Sequence, residues 1–325
     1  MRTPFSYLAE RYTLSPRALR MSTTASLIVS ILLVFTGGVV RVTGSGLGCP
    51  TWPTCEGTSL APTGELGIHG IIEFGNRLIT GVIIAAVGWS IIAARLQKPR
   101  VRSMTRLAWS QFWLVVANAI AGGITVLTGL NPWVVALHFL MAVALLTTTA
   151  LTWHRAHQTP NLSVPRHPLA RRLSWALVAT TLLLVAVGTL VSGSGPHSGD
   201  SADVARMPID WTAITIVHGV LGVIVFIIAV WLWMVLRTDP TAPVARLRTS
   251  VFIGVFLAQG VIGTVQSFIG LPELLVAFHL LGAALVWVGA LRVVLDVNPD
   301  LFPGRAPAET ETLTARTPDR TRFAL

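Results

Sequence analysis

Eight apolar stretches, at residues 22–43, 66–94, 106–128, 132–153, 171–192, 211–236, 247–269 and 272–295, each reach the length a helix needs to cross a bilayer, about 20 residues. No other feature narrows the fold as far. The chain of 325 residues is 53% hydrophobic and only 12% charged, a composition outside the range of soluble globular domains. The expected fold class is all-α integral membrane, with eight transmembrane helices in a lipid bilayer.

Basic residues in short loops stay on the cytoplasmic side, and here they are unevenly shared. Lys and Arg crowd the segment before the first span, the loops after spans two, four and six, and the tail. The alternate loops carry mainly Glu56, Glu65, Asp200, Asp203, Asp210 and Glu273, with Arg206 the exception. Both termini are therefore expected in the cytoplasm, in a multi-pass cell-membrane protein. The formal charge of +10 follows from this topology, since each basic group near an anionic leaflet gains roughly 1 kcal/mol; a nucleic-acid partner is not needed to explain it. The first apolar run is of full spanning length and no A-x-A-type cleavage site follows it, so a retained helix is expected.

The halves resemble each other. "TGSG" at 43–46 is answered by "SGSG" at 192–195, and "GLNPWVVALHFL" at 129–140 by "GLPELLVAFHLL" at 270–281, which pairs His138 with His279. Four spans per repeat make both copies cross in the same direction, so a pseudo-two-fold along the membrane normal should relate two four-helix bundles. The expected organisation is a cytoplasmic segment at 1–21, an N-terminal bundle at 22–153, a polar cytoplasmic linker at 154–170, a C-terminal bundle at 171–295 and a disordered tail at 296–325. Gln111, Asn118, Gln259 and Gln266, in spans three and seven, read chiefly as packing groups.

Four of the eight histidines, His154, His157, His167 and His197, fall in loops and read as solvated. The others, His69, His138, His218 and His279, lie in spans two, four, six and eight, towards the outer end. A lone intramembrane histidine is ordinarily a hydrogen bond between helices. Four on alternate spans of a repeat argue for a shared ligand, because ionisable groups in hydrocarbon are costly unless paired. Imidazoles from facing helices can hold a haem iron axially, whereas zinc or copper calls for more ligands than the second half supplies. Glu73 and Arg77 stand four residues apart and can pair on one helix face. The second repeat reads "IVHGVLGVIVF" there and has no counterpart, so an acid beside one of two haems marks the first pocket as the place for chemistry.

Cys49 and Cys55 are the only cysteines. On the outer side they can close a disulfide or act as a redox pair, and two thiols alone do not make a structural zinc site.

"GGVVRVTGSGLGCPTWPTCEG" (37–57), "IIEFGNRLITG" (71–81), and the histidines of spans four, six and eight together resemble haem A synthase, the bacterial relative of the mitochondrial Cox15 proteins, from about residue 30 to 295. The resemblance implies an enzyme that oxidises a ring methyl of haem O to a formyl group, giving haem A, with a resident haem b relaying electrons. It implies His218 and His279 as haem b ligands, His138 as ligand to the substrate haem, Glu73 as the essential carboxylate, Arg77 as its neighbour, and Cys49 with Cys55 as the outer cysteine pair. Haem O synthase and the terminal oxidase are the partners it implies. Arg41 is a further candidate for a haem propionate.

One departure matters. The family motif is Glu-x-x-His-Arg, and this chain has Asn76 at the histidine position. Either His69, seven residues earlier and about 10 Å along the axis, reaches the iron, or His138 holds a five-coordinate haem whose vacant face is lined by Asn76. The open site suits oxidation better; His69 stays as the second candidate. Two rival readings are a b-type dihaem cytochrome that passes electrons without acting on haem, and a transporter.

Overall fold

The computed structural model describes residues 4–158, 167–197, 199–200 and 204–301. A short helix α1 (Pro4–Arg11) precedes eight long ones: α2 (Pro16–Val42), α3 (Gly67–Arg95), α4 (Arg102–Leu127), α5 (Pro132–His157), α6 (Pro168–Ser194), α7 (Trp211–Arg237), α8 (Pro243–Phe268) and α9 (Glu273–Val297). All eight are long and apolar enough to span a membrane. The protein is a multi-pass membrane protein. Its surface agrees, for Leu127 is 65% exposed, Ile227 57% and Leu183 50%, which a lipid environment makes favourable.

Capping residues at the helix starts are readable in the sequence. Pro16, Pro132, Pro168 and Pro243 occupy the first helical turn, where no N–H is missed. Ser15 accepts from the Ala18 amide, Asn131 from Trp133 and Asp210 from Ala213, each satisfying a donor the helix leaves unpaired. The spans are longer than their apolar cores at several ends. The N-terminal segment expected at 1–21 contains α1 and the start of α2. The expected linker at 154–170 is helical up to His157 and again from Pro168, while 159–166 and the tail beyond 301 lie outside the described residues.

Helices α2 to α5 pack in a ring, each against the next and α5 against α2; α6 to α9 do the same. The bundles meet through α2 on α9, α5 on α6, and α5 on α9. Exchanging α2 with α6 and α5 with α9 leaves that set of contacts unchanged, as a two-fold between α5 and α9 requires. Each bundle has its own apolar core. A third core, including Leu27, Val143, Leu146, Trp287 and Leu291, seals the seam, where Trp287 Nε1 donates to Thr147 Oγ1 at 2.8 Å.

The repeat holds at atomic detail. Gly129–Leu130 and Gly270–Leu271 have positive φ in both copies. Leu130 N–H donates to the Thr125 carbonyl as Leu271 N–H does to Gln266, so both turns deliver the histidine-bearing helix in the same register.

Candidate functional site

A cavity of about 1180 Å³ opens between the bundles and is lined by Glu73, Asn76, Arg77, His138, His218 and His279, together with apolar side chains from every long helix except α3. Single small-molecule sites run to about 300–1,000 Å³, so this one has room for a ligand larger than usual or for two.

His218 of α7 and His279 of α9 face each other, ring centroids 6.4 Å apart and planes at 65°. Two imidazoles bound to opposite sides of one metal ion by bonds of about 2 Å have centroids roughly 6 Å apart. Nδ1 of His138, His218 and His279 is buried and completes no hydrogen bond, which leaves Nε2 as the nitrogen turned to the cavity. Each ring lies beside a main-chain carbonyl of a neighbouring helix: Asn118 for His138, Leu184 for His218, Gln259 for His279. An acceptor there is what a ligating imidazole uses to orient its second N–H.

Three glycines make the rings fit. A Cβ on Gly122 would stand 3.1 Å from His138 Cε1, one on Gly188 3.2 Å from His218 Cε1, and one on Gly263 2.9 Å from His279 Cε1. Gly122 and Gly263 occupy the same place in the two repeats. These residues escaped the sequence reading; the signal was a glycine on the preceding helix at one fixed spacing before each of His138 and His279.

On α3, Arg77 donates from Nε and Nη2 to Glu73 Oε1 at 3.1 and 2.5 Å. The pair has a second task. Glu73 Oε2 accepts the Cys49 amide at 2.6 Å, and Arg77 donates to the carbonyls of Cys49, Thr51 and Thr54 at 3.0–3.1 Å. Cys49 and Cys55 form a disulfide, so the ion pair clamps the disulfide loop over the N-terminal part of α3. Trp52 of that loop lies against Gly123 and lines the cavity. In α7, Thr215 and Gly219 stand where Glu73 and Arg77 would fall, counted from His218 as those are from Asn76.

The remaining candidates divide. Asn76 lines the cavity and its Oδ1 accepts from Thr36 Oγ1 of α2 at 2.8 Å. His69 does not line it: in the first turn of α3, its Nδ1 bonds Ser45 Oγ at 2.9 Å. Arg41 lines the cavity and donates to the carbonyls of Ser192 and His197 at 2.6 and 3.0 Å, holding the α6–α7 loop. Two histidines read as solvated are not. His154 is 6% exposed, its Nδ1 4.0 Å from Asp296, because α5 runs on past it. His197 Nε2 bonds the Leu271 carbonyl at 2.8 Å. Gln111 donates to Thr152 at 2.6 Å between α4 and α5, and Gln259 to the His279 carbonyl at 2.6 Å.

Comparison with known proteins agrees with this geometry. A family model described as cytochrome oxidase assembly protein matches residues 20–291. Among curated relatives, the heme A synthase of Symbiobacterium thermophilum is 33% identical over 189 residues, 55% of this chain and 60% of that protein. The heme A synthase of Lysinibacillus sphaericus is 30% identical over 185 residues, 54% of this chain and 58% of that protein. The one from Exiguobacterium sibiricum is 33% identical over 174 residues, covering 51% and 56%. The chain thus spans 56–60% of the length of these relatives. With the family model matching most of its length, and with paired imidazoles and a clamped disulfide loop around one cavity, the chain belongs to the COX15-CtaA family of cytochrome oxidase assembly proteins.

Proposed function

We propose that this protein is a haem A synthase of the cell membrane, with both termini cytoplasmic, which oxidises a ring methyl of haem O to a formyl group. The observation that carries the reading is the facing pair His218 and His279 in a cavity that also holds His138 and, on the N-terminal side alone, Glu73 with Arg77. The curated relatives named heme A synthase support it.

The residues fit haem: three Nε2 atoms are turned to the cavity, glycines clear the rings, and the walls are largely apolar. His218 and His279 would hold a resident haem b in the C-terminal bundle (171–295), and His138 the substrate haem O in the N-terminal bundle (22–153). Bound haem supplies the electron transfer that no side chain here can. The chain contributes orientation, exclusion of water and fixed charge. Glu73 places a carboxylate at the wall of the N-terminal pocket, where it favours positive charge developing on a substrate methyl carbon or positions a water. Arg77 holds that carboxylate in one orientation through its planar fork. Haem O synthase upstream and a terminal oxidase downstream are the partners this activity requires.

The test is mass spectrometry of haem extracted from purified protein. Wild type should release haem B with haem O or haem A, and Glu73→Ala should accumulate haem O or a hydroxylated form. Haem B alone would establish the dihaem cytochrome instead. A colourless protein after expression with ample haem would end the proposal.

A further inference from the structure

The pseudo-two-fold places three imidazoles and one amide in four related positions. His138 and His279 are paired by the identical turns before them and by the glycines against their rings. The partner of His218 is settled by its contacts: it lies against Gly188 and the Leu184 carbonyl of α6. Carried onto α2 by the matching "TGSG" and "SGSG" ends, Leu184 falls beside Thr36, the residue that hydrogen-bonds Asn76. Asn76 therefore stands where the second half has His218.

We infer that the N-terminal site gives a haem iron one protein ligand, His138, and keeps the opposite face open beside Asn76 as a binding position for a small exogenous ligand, a neutral diatomic or a compact anion. This rests on the haem reading of the cavity. An amide is a poor iron ligand, and the Asn76 side chain is already engaged by Thr36. No substitute is at hand. His69 is outside the cavity on Ser45; Glu73 is held by Arg77 and the Cys49 amide; the α6–α7 loop's His197 bonds Leu271. Among the described lining residues, the N-terminal bundle contributes no other histidine and no cysteine, methionine, tyrosine or lysine.

Space is left as well. A Cβ on Gly37, the cavity-lining neighbour of Thr36, would meet nothing within 4 Å. One half is thus closed by two imidazoles and the other is accessible. Asn76 offers a fixed hydrogen-bonding group to whatever occupies the open side.

The experiment is carbon monoxide titration of the dithionite-reduced, purified protein, followed in the Soret region, with haem-to-protein stoichiometry and electron paramagnetic resonance of the oxidised form. Wild type with two haems should show one low-spin haem inert to carbon monoxide and one high-spin haem that binds it. Asn76→His should convert the second to low spin and abolish carbon monoxide binding while both haems stay bound; His138→Ala should lose the reactive haem. Two bound haems that are both low-spin and inert in wild type would overturn this inference alone. A protein that binds no haem would overturn the underlying reading with it.

Discussion

Three residues without side chains decide how the imidazoles sit. Gly122, Gly188 and Gly263 are each in van der Waals reach of a histidine ring, so a methyl group there overpacks the site, at a cost of roughly 1–3 kcal/mol. Gly263→Ala, with the closest approach, should weaken retention of the haem proposed between His218 and His279 most, and Gly188→Ala less. Gly260→Ala, whose Cβ meets nothing within 4 Å although the residue lines the same cavity, should leave it unchanged. Haem content after gel filtration measures all three. At this scale the sequence was partly legible. His138, His218 and His279 announce themselves as polar groups in hydrocarbon, whereas a glycine in a membrane helix has many ordinary reasons to be there. His154 was misread because its burial depends on how far α5 continues and on what α9 brings opposite it.

At the scale of the element, α3 carries Glu73, Asn76 and Arg77 on one face and does two things with them: it walls the cavity and it anchors the disulfide loop. Removing Arg77 strips hydrogen bonds from three loop carbonyls and leaves the Glu73 charge buried and unpaired, a loss of up to about 3–5 kcal/mol for a fully buried pair and less here, since the Arg77 side chain is 21% exposed. Arg77→Ala should therefore lower the midpoint of thermal unfolding in detergent and speed amide hydrogen exchange across residues 49–55. Arg77→Lys should restore little, because a point charge cannot reach Glu73 and the carbonyls at once. The i, i+4 spacing foretold the ion pair. It did not foretell the Cys49 amide on Glu73, a contact between segments 24 residues apart, since loop conformation is not written in helical periodicity.

For the whole molecule, the seam between bundles is what makes one cavity out of two repeats. Trp287 is 4% exposed in it and hydrogen-bonds Thr147 of the other bundle. Trp287→Ala should cost roughly 3–5 kcal/mol, read as a lower unfolding temperature with the haem proposed between His218 and His279 still bound, because both proposed ligands lie within the C-terminal bundle. Thr147→Val, which keeps the volume and loses the acceptor, should cost no more than about 1–3 kcal/mol. The two repeats are alike in backbone and unlike in chemistry: Thr215 and Gly219 occupy the steps where the first half has Glu73 and Arg77, and the second has His218 where the first has Asn76. Duplication supplies the frame, and substitution at a few cavity positions makes the halves different.

The amino-acid sequence by itself determined the eight spans, the internal repeat and the Glu73–Arg77 pair, because each is a local pattern: apolar length, matching turns, residues one helical turn apart. Only the tertiary structure shows that Asn76 lines the cavity and His69 does not. The two anchors in the repeat imply different registers for α3, and its position is set by contacts with α2 and the turn after it, where Thr36 of the helix takes Asn76 and Ser45 of the turn takes His69. Side chains on one helix can be ordered from its sequence; which of them meets a neighbouring helix depends on how far the two have slid along each other, and that offset is set by contacts from the rest of the fold.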